Sequence, residues 1–225
     1  MSLPIAVVFD LDGTLIDSAP DLRHALNCLL ADEQRRELSL KEVIGMIGDG
    51  VPKLVERGYR ATGDVPDEKI LAERVACFLA NYEANATAHT TLFPGALNAL
   101  KALQGKGVKL GMCTNKPCQA TREILEEFEL TQYFDTVIGG DSVGGIRKPD
   151  ARHLLAVLDG LGTTPAETVM VGDSGNDIGV AKNAGIRSVV VTFGYCHGPV
   201  ESLDADAMID HFDQLPDALS GLEAG

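Results

Sequence analysis

Five short segments of the chain are almost continuously apolar and rich in β-branched residues. Such segments are typical of strands that are buried on both faces of a parallel sheet. Helical patterns separate these segments along most of the chain. The predicted strands are residues 5–9, 108–113, 136–140, 168–172 and 188–192.

Three of the intervening segments place apolar side chains three and four residues apart, as amphipathic helices do. One of them starts at Pro117, a residue that suits the first turn of a helix. The alternation predicts a doubly wound α/β fold with a parallel, Rossmann-like sheet. The apolar helical positions are Leu97, Leu100, Leu103, Ile124, Leu125, Phe128, Leu154, Leu155, Leu158 and Leu161.

One long interval shows two helical stripes and no convincing strand. It is too long for a simple connection between neighbouring strands. We therefore expect a small all-helical cap of residues 17–88, inserted into a catalytic core of residues 1–16 and 89–225. The stripes are Leu22, Ala25, Leu26, Leu29 and Leu30, and Ile70, Leu71, Val75, Phe78, Leu79 and Tyr82.

The composition narrows the classes of partner. A formal net charge of −14 over 225 residues argues against nucleic acid, because phosphate backbones would be repelled. The five cysteines are odd in number and form no CxxC pair, so we expect reduced thiols in a cytoplasmic protein. We expect no membrane association, because no apolar stretch approaches about 20 residues, and no secretion leader, because the N-terminal segment has no basic leader and no long apolar region. Monomer and homodimer both stay open.

Polar clusters follow four of the predicted strands. They read DLDGT from Asp10, TNKP from Thr114, RKPD around Lys148, and GDSGND from Gly172. The carboxyl ends of parallel strands line one crevice, where open α/β sheets bind ligands. We therefore expect the four clusters to meet, although they are far apart in the sequence.

Carboxylates and cationic groups would then share this crevice. Several carboxylates cannot all stay charged in a secluded place without compensation, and a set rich in aspartate and poor in histidine favours a hard ion such as Mg²⁺. Magnesium often completes its coordination with substrate phosphate, so we expect a small phosphorylated substrate. The carboxylates are those of Asp10, Asp12, Asp173 and Asp177, and the groups expected to bind phosphate are Thr114, Asn115, Lys116 and Lys148.

The positions suggest separate chemical roles. Asp10 ends a rigid strand, so its carboxylate can attack phosphorus in line and form an aspartyl-phosphate. Asp12 can protonate the leaving alcohol and later deprotonate the attacking water. Lys148 and Mg²⁺ would neutralise the transferring group, and Gly13 leaves room for close approach of the backbone.

In this order, the four clusters resemble the motifs of the haloacid dehalogenase superfamily of phosphohydrolases, and the helical insertion resembles that superfamily's small cap. The resemblance implies that Asp10 is the nucleophile and Asp12 the acid and base. It implies that Mg²⁺ is held by the Asp10 side chain, the Asp12 backbone carbonyl and Asp173. Its remaining implications are phosphate binding by Thr114 and Lys148, and ordering of the metal or the lysine by Asp177.

One position departs from the pattern. The family often has a histidine after the lysine and proline of the third motif, whereas this chain has Asp150. The departure lies beside the lysine, so it bears on fine positioning rather than on the chemistry.

The segments IGDGVPKLVERG and VTFGYCHG are similar to those of superfamily members that hydrolyse 2-phosphoglycolate to glycolate and phosphate. That substrate carries a second anion, its carboxylate, which some donor of the cap must meet. The candidates are the turn Gly48, Asp49 and Gly50, and the cations Lys53 and Arg57, with Arg122 of the core as a weaker competitor.

Other functions stay open at this point. Within the superfamily they are hydrolysis of another small phosphate ester or of pyrophosphate, a phosphomutase, and a dehalogenase. Asp12 argues against the dehalogenase, because displacement of a halide needs no acid for the leaving group. A phosphate-binding protein without catalysis is the alternative of another class, and it would not need both Asp10 and Asp12.

Overall fold

The computed structural model describes residues 3–83 and 85–222 of the chain. Its centre is a six-stranded sheet in the order β5–β4–β1–β6–β7–β8, in which every neighbouring pair is parallel. This confirms the predicted doubly wound α/β fold. The strands of the sheet are β1 (Ala6–Phe9), β4 (Lys109–Cys113), β5 (Thr136–Ile138), β6 (Thr168–Gly172), β7 (Arg187–Val191) and β8 (Ala207–Ile209).

Strand β1 shows why the predicted strands are continuously apolar. Val7 and Phe9 belong to the larger of two core clusters, whereas Ala6 and Val8 belong to the smaller one. All four side chains are fully buried, since helices cover both faces of the sheet. Alternation of polar and apolar residues is therefore absent from this strand.

Helices are the main regular element outside the sheet, and none of the described helices is long and apolar enough to cross a membrane. Pro117 is the residue before α6 rather than part of its first turn, so the predicted start is one residue early. The helices are α1 (Ala19–Ala31), α2 (Leu40–Ile44), α3 (Val51–Thr62), α4 (Glu68–Glu83), α5 (Ala96–Gly105), α6 (Cys118–Glu127), α7 (Ala151–Leu161), α8 (Gly175–Ala184) and α9 (Leu215–Gly221).

Helices α1 to α4 form the insertion between β1 and β4. The chain leaves through β2 (Ile16–Asp17) and returns through β3 (Thr91–Leu92), which pair antiparallel. Asp21 in α1 links the two connections between the insertion and the sheet, because its carboxylate accepts hydrogen bonds from the backbone N–H groups of His89 and Thr90. We propose on this basis that residues 17–88 form a cap and that residues 1–16 and 89–225 form the core.

Candidate active site

The four polar clusters meet at the carboxyl edge of the sheet. Asp10 directly follows β1, Thr114 follows β4 and Asp173 follows β6, which are neighbours in the sheet. The backbone holds these positions: the N–H of Asp10 donates to the carbonyl of Val171 at 3.0 Å, and that of Thr114 donates to Ile138 at 3.1 Å. The three side chains are thus carried on rigid parts of the fold.

Lys148 lies at the centre of the cluster. Its ammonium nitrogen is 2.8 Å from Asp10 Oδ1 and 2.6 Å from Asp177 Oδ1. The lysine is 4% exposed and Asp177 is fully buried. Asn115 fixes the lysine's backbone, since Asn115 Oδ1 accepts from the N–H of Lys148 at 2.9 Å. Burial alone would lower the pKa of Lys148, but the two carboxylates hold that pKa above its ordinary value.

Asp173 is oriented by two hydrogen bonds. Its Oδ1 accepts from Thr14 Oγ1 at 3.0 Å, and its Oδ2 accepts from the N–H of Tyr195 at 2.7 Å. Gly13 packs against this carboxylate with φ of +84°, and a Cβ there would overlap it. The glycine of the first motif is therefore needed for the close approach of two loops.

Asp177 has a second role at the start of α8. Its Oδ2 accepts from the backbone N–H groups of Asp173 at 3.2 Å and Ser174 at 3.0 Å, while Ser174 serves as the N-cap. One oxygen of this carboxylate therefore accepts hydrogen bonds at the start of α8, and the other oxygen pairs with Lys148. This arrangement fixes the lysine relative to the strand ends.

The site has the composition of a hard-cation site. Asp10, Asp173 and Asp177 each offer a carboxylate oxygen, and these oxygens lie within 4.8 Å of one another. Asp10 Oδ1 is buried and, among the residues that the structure describes, has no donor at a good hydrogen-bonding angle. Buried carboxylate oxygens with spare acceptor capacity fit Mg²⁺, so the residues present suit this ion.

The pKa values of the cluster reflect its excess of negative charge. Burial raises the pKa of Asp10 to about 7, with Lys148 opposing the rise and Asp177 adding to it. Burial and the neighbouring carboxylates of Asp177 and Asp10 raise the pKa of Asp173 well above its ordinary value. One lysine does not offset three carboxylates, and a divalent cation would complete the compensation.

The carboxylate of Asp12 pairs with a different lysine. Its two oxygens lie 2.9 Å and 3.1 Å from the ammonium nitrogen of Lys116, and Ser18 Oγ donates to one of them. Lys116 also donates to Tyr82 Oη at 2.8 Å, with the ring centroid 4.6 Å away. The side chain of Lys116 is thus held by Asp12 and Tyr82, and its predicted contact with phosphate stays a prediction. The predicted contact of the Asp12 carbonyl with Mg²⁺ stays a prediction.

A pocket of about 430 Å³, including the space open to solvent, lies between these strand ends and the inserted helices. The residues predicted to bind the phosphate or the second anion that line it are Thr114, Asn115, Lys116, Gly48 and Gly50. Asn115 Nδ2 donates to the carbonyl of Gly48 at 2.9 Å, which joins the core to the loop before α3. The lining residues are Asp10, Asp12, Leu22, Ile47, Gly48, Gly50, Val51, Leu54, Thr114, Asn115 and Lys116.

The structure does not bring the two cations of α3 that were predicted to bind substrate, Lys53 and Arg57, into this lining. Lys53 pairs with Glu56 at 2.7 Å on an exposed face. Arg57 donates to the carbonyl of Met46 at 2.9 Å and pairs with Asp49. Arg57 thereby braces the loop before α3, and binding of substrate by Lys53, Arg57 or Asp49 stays a prediction.

Sequence reasoning missed several side chains around the pocket. Tyr82 was assigned to an apolar stripe, and its spacing gives no signal that its hydroxyl meets Lys116. Asn176 lies within the fourth motif, where its Nδ2 donates to Asp49 Oδ1 at 2.8 Å. His197, in the segment VTFGYCHG, contacts the carbonyl of Ile47 through Nε2 at 3.0 Å.

Comparisons with known proteins identify the family. The sequence model described as "Haloacid dehalogenase-like hydrolase" matches residues 7–191. The chain belongs to the haloacid dehalogenase-like hydrolase family. This confirms the resemblance drawn from the four motifs, and the matched range contains all four motifs and the insertion.

Two relatives align with nearly the whole chain. A protein named phosphoglycolate phosphatase from Cereibacter sphaeroides strain ATCC 17029 is 45% identical, over 97% of this chain and 99% of the relative. A protein of the same name from Caulobacter vibrioides is 41% identical, over 94% of this chain and 89% of the relative. With the family match, these relatives show that the chain is a hydrolase of phosphoric monoesters.

A solved structure supports the same assignment. A predicted phosphoglycolate phosphatase from Haemophilus somnus superposes with a TM-score of 0.91 at 30% identity, covering 96% of this chain and 98% of the other. That protein therefore shares the fold of this chain over nearly its whole length.

Proposed function

We propose that the protein is a Mg²⁺-dependent phosphatase that converts 2-phosphoglycolate to glycolate and phosphate through an aspartyl-phosphate at Asp10. The observation that carries the proposal is the contact of Lys148 with both Asp10 and Asp177, beside Asp173 and at the base of the pocket. A binding protein for phosphate would not need a carboxylate aimed at the anion.

The first step is attack on phosphorus. An Asp10 oxygen forms a bond to phosphorus while the bond between phosphorus and the ester oxygen breaks. Lys148 stays beside Asp10 and neutralises charge on the transferring group. When bound at the acidic cluster, Mg²⁺ would supply further neutralisation of the phosphoryl oxygens. Thr114, at the end of β4 and 1% exposed, offers its hydroxyl to the same group.

Asp12 handles the protons of both steps. It gives a proton to the departing alkoxide, and the product alcohol leaves. It then takes a proton from the water that attacks phosphorus and releases phosphate from Asp10. Ser18 and Lys116 orient its carboxylate for both transfers.

The substrate assignment rests on the relatives and on the pocket. Both relatives described above are named phosphoglycolate phosphatase, and each covers most of this chain. The pocket has an apolar wall of Leu22, Ile47, Val51 and Leu54 and admits a small ester. We also propose a reducing, cytoplasmic setting, which the five free thiols support.

Release of inorganic phosphate tests this proposal. With Mg²⁺, we expect a higher kcat/KM for 2-phosphoglycolate than for a panel of sugar phosphates, β-glucose 1-phosphate and pyrophosphate. Faster hydrolysis of a panel member by about tenfold or more would contradict the substrate while leaving the class intact. Loss of activity on chelation, restored by Mg²⁺, is the expected behaviour toward metal.

A substitution of the nucleophile tests the residue assignment. Asp10→Asn should lower kcat by at least about a thousandfold, because the amide cannot form the acyl phosphate. The control is Asp159→Asn, on the exposed face of α7, which removes one negative charge away from the pocket. If the two variants had comparable activity, Asp10 would not be the nucleophile.

A further inference from the structure

The cations around the pocket are paired with carboxylates, and one of them lies in the described lining, where a second substrate anion would bind. Lys148 is engaged by Asp10 and Asp177. Lys53 and Arg57 direct their cationic groups to Glu56 and to Asp49. Among the described residues that line the pocket, Lys116 is the one cationic side chain.

Lys116 is fixed at the point where the leaving group must depart. Its ammonium nitrogen lies 2.9 Å and 3.1 Å from the oxygens of Asp12, which is the proposed proton donor to the leaving oxygen. Its remaining N–H donates to Tyr82 Oη at 2.8 Å. The residue is 5% exposed, so its position is set by these contacts rather than by solvent.

The shape of the substrate brings its carboxylate to this lysine. Proton transfer requires the ester oxygen to lie about 2.6–3.2 Å from the carboxylate of Asp12. One methylene separates this oxygen from the substrate carboxylate, whose oxygens are therefore only about 3 Å further along. A substrate in this pose can rest its carboxylate on the ammonium group of Lys116, replacing Tyr82 or one oxygen of Asp12 as acceptor.

The apolar wall of the pocket, among the described residues, offers the carboxylate no charged partner. It is built from the apolar side chains of Leu22, Ile47, Val51 and Leu54. A carboxylate turned toward that wall would lose hydration without gaining a charged partner. A carboxylate turned toward Lys116 gains one in a partly enclosed site.

We propose that Lys116 is the specificity-determining residue that binds the carboxylate of 2-phosphoglycolate. The assignment rests on the proposed function, and it moves recognition of the second anion from the cations of α3 to the loop after β4. Tyr82, from the inserted helices, is the group that holds Lys116 in place until substrate binds.

The test compares 2-phosphoglycolate with 2-hydroxyethyl phosphate, in which a neutral hydroxymethyl group replaces the carboxylate. Steady-state kcat/KM is measured for both esters with the unmodified protein and with Lys116→Met. The ratio of the two values should fall by at least about tenfold in the variant, because the charged partner is lost. Lys116→Gln, whose amide can still contact Asp12 and Tyr82, should give the same loss and serves if Lys116→Met does not fold.

Lys53→Ala is the matched control, since it removes a cation of α3 and should change the ratio by less than about twofold. An equal fall for both esters in the Lys116 variants would overturn the proposal, because Lys116 would then act through Asp12 alone. A large fall in the ratio for Lys53→Ala would also overturn it. A ratio near one in the unmodified protein would refute the substrate assignment itself and, with it, any role of Lys116 in preference.

Discussion

At the scale of single residues, the crowded carboxylates are compensated in two separate groups. Lys116 pairs with Asp12, and Lys148 pairs with Asp10 and Asp177. The first group is balanced by its lysine, whereas the second, with Asp173, keeps an excess of negative charge. Because of this difference, we expect proton transfer at Asp12 and cation binding at Asp10, Asp173 and Asp177.

The charge excess predicts how magnesium affects stability at different pH. The pKa of Asp10 is raised to about 7, chiefly by burial, so the uncharged carboxyl favours the folded protein and this contribution is lost as pH rises through that value. Mg²⁺ prefers the ionised carboxylates. Its increase in Tm should therefore be larger at about pH 8 than at about pH 5.5, as measured by thermal unfolding with and without the ion. Asp173→Asn should lose most of this increase, and equal increases at both pH values would contradict the account.

Gly13 gives a second prediction at this scale. Gly13→Ala should lower the free energy of unfolding by about 1–3 kcal/mol, because φ of +84° and overlap with Asp173 both oppose a Cβ. It should also lower kcat by more than about tenfold, since Asp173 would be displaced. Gly185 is the control, with φ of +69° and open space around the position. Gly185→Ala should lose stability alone, and unchanged activity in Gly13→Ala would count against the arrangement.

At the scale of secondary-structure elements, the central strands and the edge strand β5 could be predicted, whereas the edge strand β8 and the short pair β2 and β3 could not. Strands β1 and β6 are covered on both faces, so burial leaves an unbroken apolar run in the sequence. Strand β8 has three residues at the edge of the sheet, with Met208 43% exposed, and carries no comparable pattern. The pair β2 and β3 has two residues in each strand, which is too short for any period to show.

The residues of the candidate site also differ in how far the sequence could predict their positions. Residues that directly follow strands could be placed from sequence, because the topology of a parallel sheet brings strand ends together. Tyr82 could not, since its contact with Lys116 joins α4 to the loop after β4 and depends on how the inserted helices sit. The positions of Lys53 and Arg57 depend likewise on partners that the motif does not reveal.

The loop before α3 is the element through which the inserted helices meet the core. Asn176 in α8 donates to Gly48 O at 3.2 Å and to Asp49 Oδ1 at 2.8 Å. Asn176→Ala should raise KM for 2-phosphoglycolate about three- to tenfold, because the loop that lines the pocket loses its anchor. The control is Asn27→Ala, whose side chain makes two hydrogen bonds to Leu38 within the inserted helices. We expect the control to lose stability without a change in KM. If the KM of Asn176→Ala equalled that of the unmodified protein, the contact of Asn176 would not be needed for substrate binding.

At the scale of the whole molecule, the overall charge is acidic, but two buried lysines lie at the pocket. The chain carries a formal net charge of −14, yet Lys116 and Lys148 are buried at the pocket and Asp10, Asp173 and Asp177 form a site suited to a cation. An acidic protein can therefore bind a small anionic ester, because the local charge differs from the overall charge. The family model matches residues 7–191, a range that includes all four motifs.

The most direct test of the central claim is to trap the covalent intermediate. The protein is acid-quenched during turnover of 2-phosphoglycolate with Mg²⁺ and treated with borohydride, which reduces an aspartyl-phosphate to homoserine. Peptide mass spectrometry should then find homoserine at position 10, and none when Asp10→Asn is treated in the same way. Full turnover with aspartate unchanged at position 10, or with homoserine at another aspartate, would contradict the account.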